Sequence, residues 1–173
     1  MHNPLLAPEL RDLILRKDAQ TLHEFCVGSH PTVIGEFFEA LSTDEVGQAL
    51  LLLQPRLQAK IFSHLSVEKQ TELAESLSRK DLACIITHMS SDERVDFLKR
   101  LPDEQHEALM PILAQVERED IRRLSAYPEG TAGAVMTSEY AALSPNQTAA
   151  DAIDKLRREA PDKETKRLTC MLL

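Results

Sequence analysis

Apolar residues recur at every twelfth position through the middle of the chain. The residues that mark this register are Leu41, Leu53, Leu65, Leu77, Met89, Leu101 and Leu113. The register continues without an insertion or a deletion, which is typical of a repeated short structural unit. The pattern therefore predicts an array of similar units rather than the single core of an enzyme.

Two more apolar rows precede the markers, at four and at three residues before each of them. The first row is Phe37, Ala49, Ile61, Leu73, Ile85, Phe97 and Leu109, and the second is Phe38, Leu50, Phe62, Ala74, Ile86, Leu98 and Met110. Positions i, i+1 and i+4 lie on one stripe of an α-helix. We expect helices of about nine or ten residues, which must pack on their neighbours because such short helices are marginal alone.

Residues that start helices follow the markers. Serine stands one position after four of them, at Ser42, Ser66, Ser78 and Ser90, and proline lies near the first helical position elsewhere, at Pro55 and Pro102. Serine caps helix N-termini and proline is tolerated in the first turn. Ser42 with Glu45, and Ser90 with Glu93, also have the spacing of a capping box. Each unit is thus predicted to be one helix and one tight turn.

A different pattern begins after the repeat. Residues 127–133 read Tyr-Pro-Glu-Gly-Thr-Ala-Gly, which is typical of a junction between modules. Beyond it the pattern predicts an extended segment from Tyr140 to Leu143 and then a helix capped by Thr148. A buried strand is predicted from Leu168 to Leu173. Because a tail of about 40 residues is too small for an independent core, we expect a module that is cut in the middle.

The helix of this tail has an apolar side of its own. Ile153 and Leu156 lie three positions apart and are expected to face inward, toward the strands.

Composition and charge argue against several classes of function. The net charge is −8, whereas nucleic-acid binding requires a basic footprint. Three cysteines without a C-x-x-C pair, and six histidines without metal-binding spacing, argue against disulfides and structural zinc. No apolar run approaches the ~20 residues of a membrane span. No nucleophile–base pair or glycine-rich phosphate loop indicates an enzyme. We expect a soluble, reduced, non-enzymatic chain whose acidic surface tolerates a cation or a basic partner.

Candidate metal ligands lie in the unit after Met89. Asp92 and Asp96 are four residues apart and share one helix face, and Glu93 flanks Asp92. Carboxylate oxygens are the ligands that hard divalent cations prefer, and such ions can complete their shell with water. The spacing therefore permits a metal site with Asp92, Asp96 and Glu93 as candidate ligands.

A structural interpretation of the same acids is also open. Asp92 and Glu93 lie in the first helical turn, where acids favour the helix dipole, and Glu93 has capping-box spacing. Asp96 has Lys99 and Arg100 three and four positions further on, either of which could pair with it.

Several segments together resemble the cytosolic part of MgtE-type magnesium transporters, over nearly the whole chain. The matching segments are His30-Pro31 opening a helix, the twelve-residue repeat, the acidic stretch from Met89 to Asp96 followed by Leu98, the junction from Tyr127 through Met136-Thr137, and Thr148, Ala152 and Leu156 of the following helix. The junction is the most specific of these. The sequence departs from the family pattern at Val33, Glu93 and Gly130, where the family commonly has an aspartate. It also departs around Lys60, a position that looks acidic in some relatives.

The resemblance implies a mainly α fold, a right-handed superhelical array (solenoid) of short helices followed by an incomplete α/β CBS module. It implies an N domain over residues 1–126, a junction over 127–135 and a truncated first CBS domain over 136–173. By the same resemblance the chain is cytoplasmic and belongs on the cytoplasmic face of the membrane in the full transporter.

The resemblance also implies a function, a magnesium-sensing regulatory region. The acidic helix face with Asp92, Asp96 and Glu93 would meet the CBS domains through bound magnesium and favour the closed pore. The implied partners are the CBS and membrane domains of the same transporter, which would form a homodimer, with neither nucleic acid nor direct membrane insertion of this segment. The alternative is a helical-repeat interaction scaffold without metal sensing, similar to flagellar motor switch arrays.

Overall fold

The chain folds mainly into short α-helices, as a computed structural model shows. The structure describes residues 7–128, 130–136, 141–159 and 170–172. Over those residues the helices are α1 (Ala7–Arg16), α2 (Ala19–Val27), α3 (Pro31–Glu39), α4 (Thr43–Leu52), α5 (Pro55–Ser63), α6 (Val67–Ser76), α7 (Arg79–His88), α8 (Ser91–Arg100), α9 (Asp103–Leu109), α10 (Gln115–Ser125) and α11 (Ala149–Glu159). A 3₁₀ helix (Ala132–Val135) and strands β1 (Ala141–Leu143) and β2 (Cys170–Leu172) complete the described elements.

The array is built mainly by contacts between helices two places apart. Helix α3 packs on α5, α4 on α6, α5 on α7, α7 on α9 and α8 on α10. Helix α1 packs on α2 and α4, where the Arg11 guanidinium forms an ion pair with Glu45 at 2.8 Å. A polar bond joins α8 to α6 in the same way, since Arg100 donates to the Gln70 amide oxygen at 2.8 Å. The short helices of the array therefore find the neighbours that the twelve-residue repeat requires.

The three predicted apolar rows form the core. Their members are buried except Phe37, Leu77 and Met110, which are half-buried against the same cluster. Phe62 of α5 meets Phe97 of α8 edge to face, with ring centroids 5.1 Å apart. The predicted mainly helical array is therefore confirmed, and one continuous apolar core extends along the packed helices.

Three of the four predicted serine caps are present. The hydroxyls of Ser42, Ser66 and Ser78 each accept a backbone N–H three residues on, and Ser42 with Glu45 forms a complete capping box. Ser90 is different, because its side chain accepts no bond from the helix backbone. The capping box expected for Ser90 with Glu93 is therefore wrong.

A polar clamp recurs in the twelve-residue register, five positions after a marker. Its members donate to the carbonyl of that marker, at Gln58 to Leu53, Gln70 to Leu65, Arg94 to Met89 and Arg118 to Leu113. Carbonyl groups at the end of a helix have no N–H partner within the helix, and these side chains donate hydrogen bonds to them. The clamp therefore fixes each of these turns, with buried side chains at Gln58, Gln70 and Arg94 and a half-buried one at Arg118.

The close approach of α3 to α5 requires a glycine. A Cβ atom at Gly35 would lie 2.8 Å from the backbone carbonyl oxygen of His64. That contact is shorter than side chains tolerate, and the obstacle is backbone that cannot rotate away.

The junction after α10 is held by local contacts. Thr131 donates its hydroxyl to the Pro128 carbonyl at 2.7 Å, and Gly130 adopts a φ of 77°, in the left-handed region that favours glycine. The 3₁₀ helix packs on α10. A Cβ atom at Gly133 would lie 2.3 Å from the Tyr127 ring, so the ring lies directly on the Gly133 backbone.

The tail forms a strand, a helix and a second strand. β1 pairs in parallel with β2, with Ala141 opposite Cys170, and the Thr148 hydroxyl accepts the Asp151 N–H at the start of α11. The predicted order is confirmed over these elements, whereas Tyr140, Leu168, Thr169 and Leu173 lie outside the described residues. Ile153, predicted to face inward, is instead 48% exposed, because the two strands among the described residues are three residues long and offer α11 little surface to cover. Leu156, predicted to face the same way, is half-buried.

Candidate metal-binding face of helix α8

Helix α8 carries the predicted metal ligands on a surface set by its buried side. Val95, Phe97 and Leu98 are buried in the core, which leaves the opposite side of the helix toward solvent. Acids occupy its first turn and Lys99 and Arg100 its last, so both ends complement the helix dipole. The local sequence thus stabilises α8 independently of any bound ion.

Asp92 and Asp96 lie one helical turn apart on this solvent side. Asp96 is exposed and Asp92 is half-buried. Neither carboxylate forms a hydrogen bond or ion pair with another residue that the structure describes. Arg100, a possible partner of Asp96 by sequence, donates to Gln70 instead. The oxygens of both carboxylates are therefore available to water or to a cation.

Glu93 is held differently. Its carboxylate accepts the Ser63 hydroxyl at 3.0 Å and the Ser90 hydroxyl at 2.6 Å. Ser90 thus donates to a carboxylate but accepts no backbone N–H, whereas the Ser78 hydroxyl both donates to Asp81 and accepts its N–H. Glu93 therefore ties the end of α5 to the start of α8.

The acidic face is not a pocket. An open cleft of about 670 Å³ is lined by residues of α8, α9 and α10, and another of about 300 Å³ by residues of α6, α7 and α9. Neither cleft is lined by Asp92 or Asp96. Among the described residues, no three His, Cys, Asp or Glu side chains are grouped to hold a metal ion. Two carboxylates on an open face fit magnesium, which completes its shell with water or with ligands of a facing surface.

Arg94 is a residue of this helix that the sequence motifs do not single out. It is 6% exposed, and its guanidinium donates to the carbonyls of Ile86 at 2.9 Å, Thr87 at 3.1 Å and Met89 at 2.8 Å. These bonds fix the turn from α7 into α8. The signal that could have found it is the recurrence of polar residues in the same register, at Gln58, Gln70, Arg94 and Arg118.

The buried thiol of Cys26 is a poor candidate for chemistry. Cys26 and Cys84 are free, and burial raises the pKa of the Cys26 thiol to about 12. A thiol that stays protonated is a poor nucleophile and a poor metal ligand. In addition, no helix within the described ranges is both long and apolar enough to cross a bilayer.

Comparisons with known proteins agree on one family. A family model described as the MgtE intracellular N domain matches residues 29–130. The magnesium transporter MgtE of Thermus thermophilus is 31% identical over 163 residues, which are 92% of this chain and 36% of that relative. The chain therefore spans little more than a third of the curated relative that it matches.

Two solved structures are similar in fold. The soluble part of a magnesium transporter superposes with a TM-score of 0.78 at 26% identity, over 92% of this chain and 64% of that one. The cytosolic domain of the Mg²⁺ channel MgtE in complex with ATP gives a TM-score of 0.77 at 31% identity, over 92% of this chain and 66% of that one.

Proposed function

The chain belongs to the family of MgtE intracellular N domains, and on that premise we propose that it is a magnesium-sensing regulatory region of a magnesium transporter. The family is intracellular, so the chain belongs in the cytoplasm. Its curated relative is named for transport and not for catalysis, and we assign the chain no enzymatic role.

The observation that carries this proposal is the pair of carboxylates at Asp92 and Asp96. Both lie on one face of a single helix, and neither is neutralised by a described neighbour. The two like charges repel each other, because they lie one helical turn apart in the folded chain. A divalent cation between or beside them lowers this electrostatic repulsion. We assign Asp92 and Asp96 as ligands of magnesium, directly or through its waters, with Glu93 holding α8 in position.

The open geometry of the face explains how sensing would be transmitted. Two carboxylates leave most of the magnesium shell to water, so a second acidic surface can share the same ion. We assign that surface to CBS domains of the longer protein, whose first part would be residues 136–173, after an N domain at 1–126 and a junction at 127–135. Full-length subunits would form a homodimer and carry the membrane domain.

Magnesium would then act as a population shift. Bound ions screen the two acidic surfaces and favour the docked arrangement, which closes the pore. When magnesium falls, repulsion separates the surfaces and the pore is released. A ligand shifts such an equilibrium only through its different affinity for the two states, and a shared site provides that difference.

A magnesium titration of the 173-residue chain, followed by the backbone amide signals in NMR spectra, tests the proposal. Without the facing acidic surface, the two carboxylates offer magnesium little more than its own hydration shell does, so we expect millimolar affinity. The chemical-shift changes should be centred on residues 92–96. Asp92→Asn combined with Asp96→Asn should abolish these shifts. The matched control is Asp103→Asn with Glu107→Gln, which removes the same charge from an exposed i, i+4 pair on α9 and should preserve them. Equal shifts at all acidic helices would contradict the site and favour the interaction scaffold.

A further inference from the structure

Arg94 and Gln70 perform the same structural task in two units of the array. Gln70 donates its amide to the carbonyls of Phe62 at 2.9 Å, Ser63 at 3.4 Å and Leu65 at 3.1 Å. These acceptors lie eight, seven and five residues before it. Arg94 donates to the carbonyls at the same three offsets. A neutral amide is therefore sufficient to clamp this turn.

The arginine adds a buried positive charge to that task. Arg94 forms no ion pair with a carboxylate among the described residues, and its three bonds all go to backbone carbonyls. Removing a charge from water is costly unless a partner compensates it, and the carbonyls at the end of α7 compensate only in part. Since an amide is sufficient for the clamp at Gln70, the Arg94 guanidinium adds a charge that the clamp does not require.

The charge lies beneath the acidic face. Arg94 is on the buried side of α8, whereas Asp92 and Asp96 are on its solvent side, so a cation on the acidic face would be separated from the guanidinium by at least a helix diameter, roughly 10–12 Å. A fixed cation at that distance repels a divalent ion bound to the two carboxylates. Because the path between them crosses protein, mobile salt screens this repulsion less than it screens surface charges.

We infer that Arg94 is an affinity-setting residue, which lowers the affinity of the Asp92–Asp96 face for magnesium. The inference rests on the proposed function. Such a residue prevents magnesium from binding to the face at low concentrations. It thereby raises the range of magnesium concentrations over which the domain responds. It positions α8 through the clamp and sets the strength of cation binding through its charge.

The experiment is the magnesium titration of the 173-residue chain, repeated on Arg94→Gln. Gln70 shows that the amide can keep the carbonyl bonds, so the variant removes the charge and little else. We expect magnesium to bind roughly three- to tenfold more tightly, from the Coulomb interaction of a divalent ion with one charge at this distance. Arg94→Lys, which keeps the charge, should return the affinity to near the wild-type value.

Arg118→Gln is the positional control, since Arg118 is the clamp of α10 and donates to Leu113. It deletes the same charge from a different helix and should change magnesium affinity less than Arg94→Gln does. Should Arg94→Gln fold poorly, Arg94→Met and Arg94→Lys form a second pair, because both lose the planar fork and differ in charge. The methionine variant should then bind more tightly than the lysine variant.

The outcomes separate this inference from the proposed function. An unchanged or weaker affinity in Arg94→Gln, with wild-type shifts still abolished by Asp92→Asn and Asp96→Asn, overturns the role of Arg94 alone. An equal gain in Arg118→Gln also overturns it, because total charge and not position would then set the affinity. Wild-type shifts that survive the double asparagine variant overturn the site itself.

Discussion

Ser63 donates its hydroxyl to the Glu93 carboxylate at 3.0 Å, joining α5 to α8 across 30 positions of the sequence. Glu39 makes a related tie from α3 to α6, since its carboxylate accepts both the backbone N–H and the hydroxyl of Ser66. Half-buried carboxylates thus connect helices three places apart, whereas most helix packing in the array joins helices two places apart. Acidic residues of this array therefore divide into ties and free surface charges.

This division predicts different stabilities for neighbouring acids. Glu93→Ala should lower the free energy of unfolding by about 1–3 kcal/mol, because it leaves two hydroxyls without their charged acceptor. Asp92→Asn with Asp96→Asn should change it by less than about 0.5 kcal/mol, since the lost dipole interaction of Asp92 offsets the relief of like-charge repulsion. Urea unfolding measures both. A larger loss in the double asparagine variant would contradict the assignment of Glu93 as the tie.

Two glycines of the array make opposite predictions. Gly35→Ala should destabilise by about 1–3 kcal/mol, because its Cβ would lie 2.8 Å from the His64 carbonyl. Gly47→Ala places its Cβ at an ordinary 3.5 Å from Leu77 and should be neutral or stabilise by up to about 1 kcal/mol through helix propensity. Thermal unfolding of the two variants compares them directly, and equal effects would contradict the close α3–α5 contact.

The aromatic pair in the core should dominate packing. Phe62→Ala should cost about 3–5 kcal/mol, because Phe62 is fully buried and its ring meets Phe97 edge to face. Leu51 is exposed on α4, and Leu51→Ala should cost less than about 0.5 kcal/mol. Both changes in the free energy of unfolding follow from the urea midpoints, provided that the dependence on urea concentration is the same in each variant. A small loss in the free energy of unfolding for Phe62→Ala would contradict the central place of this pair in the core.

Acid should weaken the contact of α1 with α4. The backbone N–H of Ser42, and then Arg11, hold the pKa of Glu45 below its ordinary value of 4.5. The stabilisation is therefore complete above that value and is lost as the pH falls through the lowered pKa. Glu45→Gln should flatten the loss of stability between about pH 5 and pH 3, measured by urea midpoints. Glu107→Gln, at an exposed site, should leave the wild-type slope, and an unchanged slope in Glu45→Gln would contradict the pairing.

The array can be predicted from the sequence because its signal is periodic. Leu53, Leu65 and Leu101 recur in a fixed register, and a repeat that cannot bury its apolar stripe alone has few ways to pack. The prediction for Ile153 is wrong for the converse reason, because an isolated apolar residue does not reveal how much sheet is available to cover it. A periodic apolar pattern predicts how a helix packs only where the helices around it repeat as well.

The candidate site can be predicted less completely than the array. The spacing of Asp92 and Asp96 places them on one face, since helix geometry is local. The spacing of Ser90 and Glu93 suggests a capping box, but Ser63, 30 residues away in sequence, redirects the carboxylate. Arg94 lies between the acids and escapes notice, because a charged residue in a polar segment looks like surface until its carbonyl acceptors are known. Interactions between helices decide the roles that short motifs leave open.

The most direct test of magnesium sensing is to locate a bound divalent ion on the wild-type chain. Manganese, which accepts the same oxygen ligands as magnesium, broadens the NMR signals of nearby amides. Added at low concentration, it should broaden the amides around Asp92 and Asp96 first, and excess magnesium should reverse the broadening. Broadening that begins elsewhere, or that magnesium does not reverse, would contradict the claim that α8 carries the magnesium-sensing face.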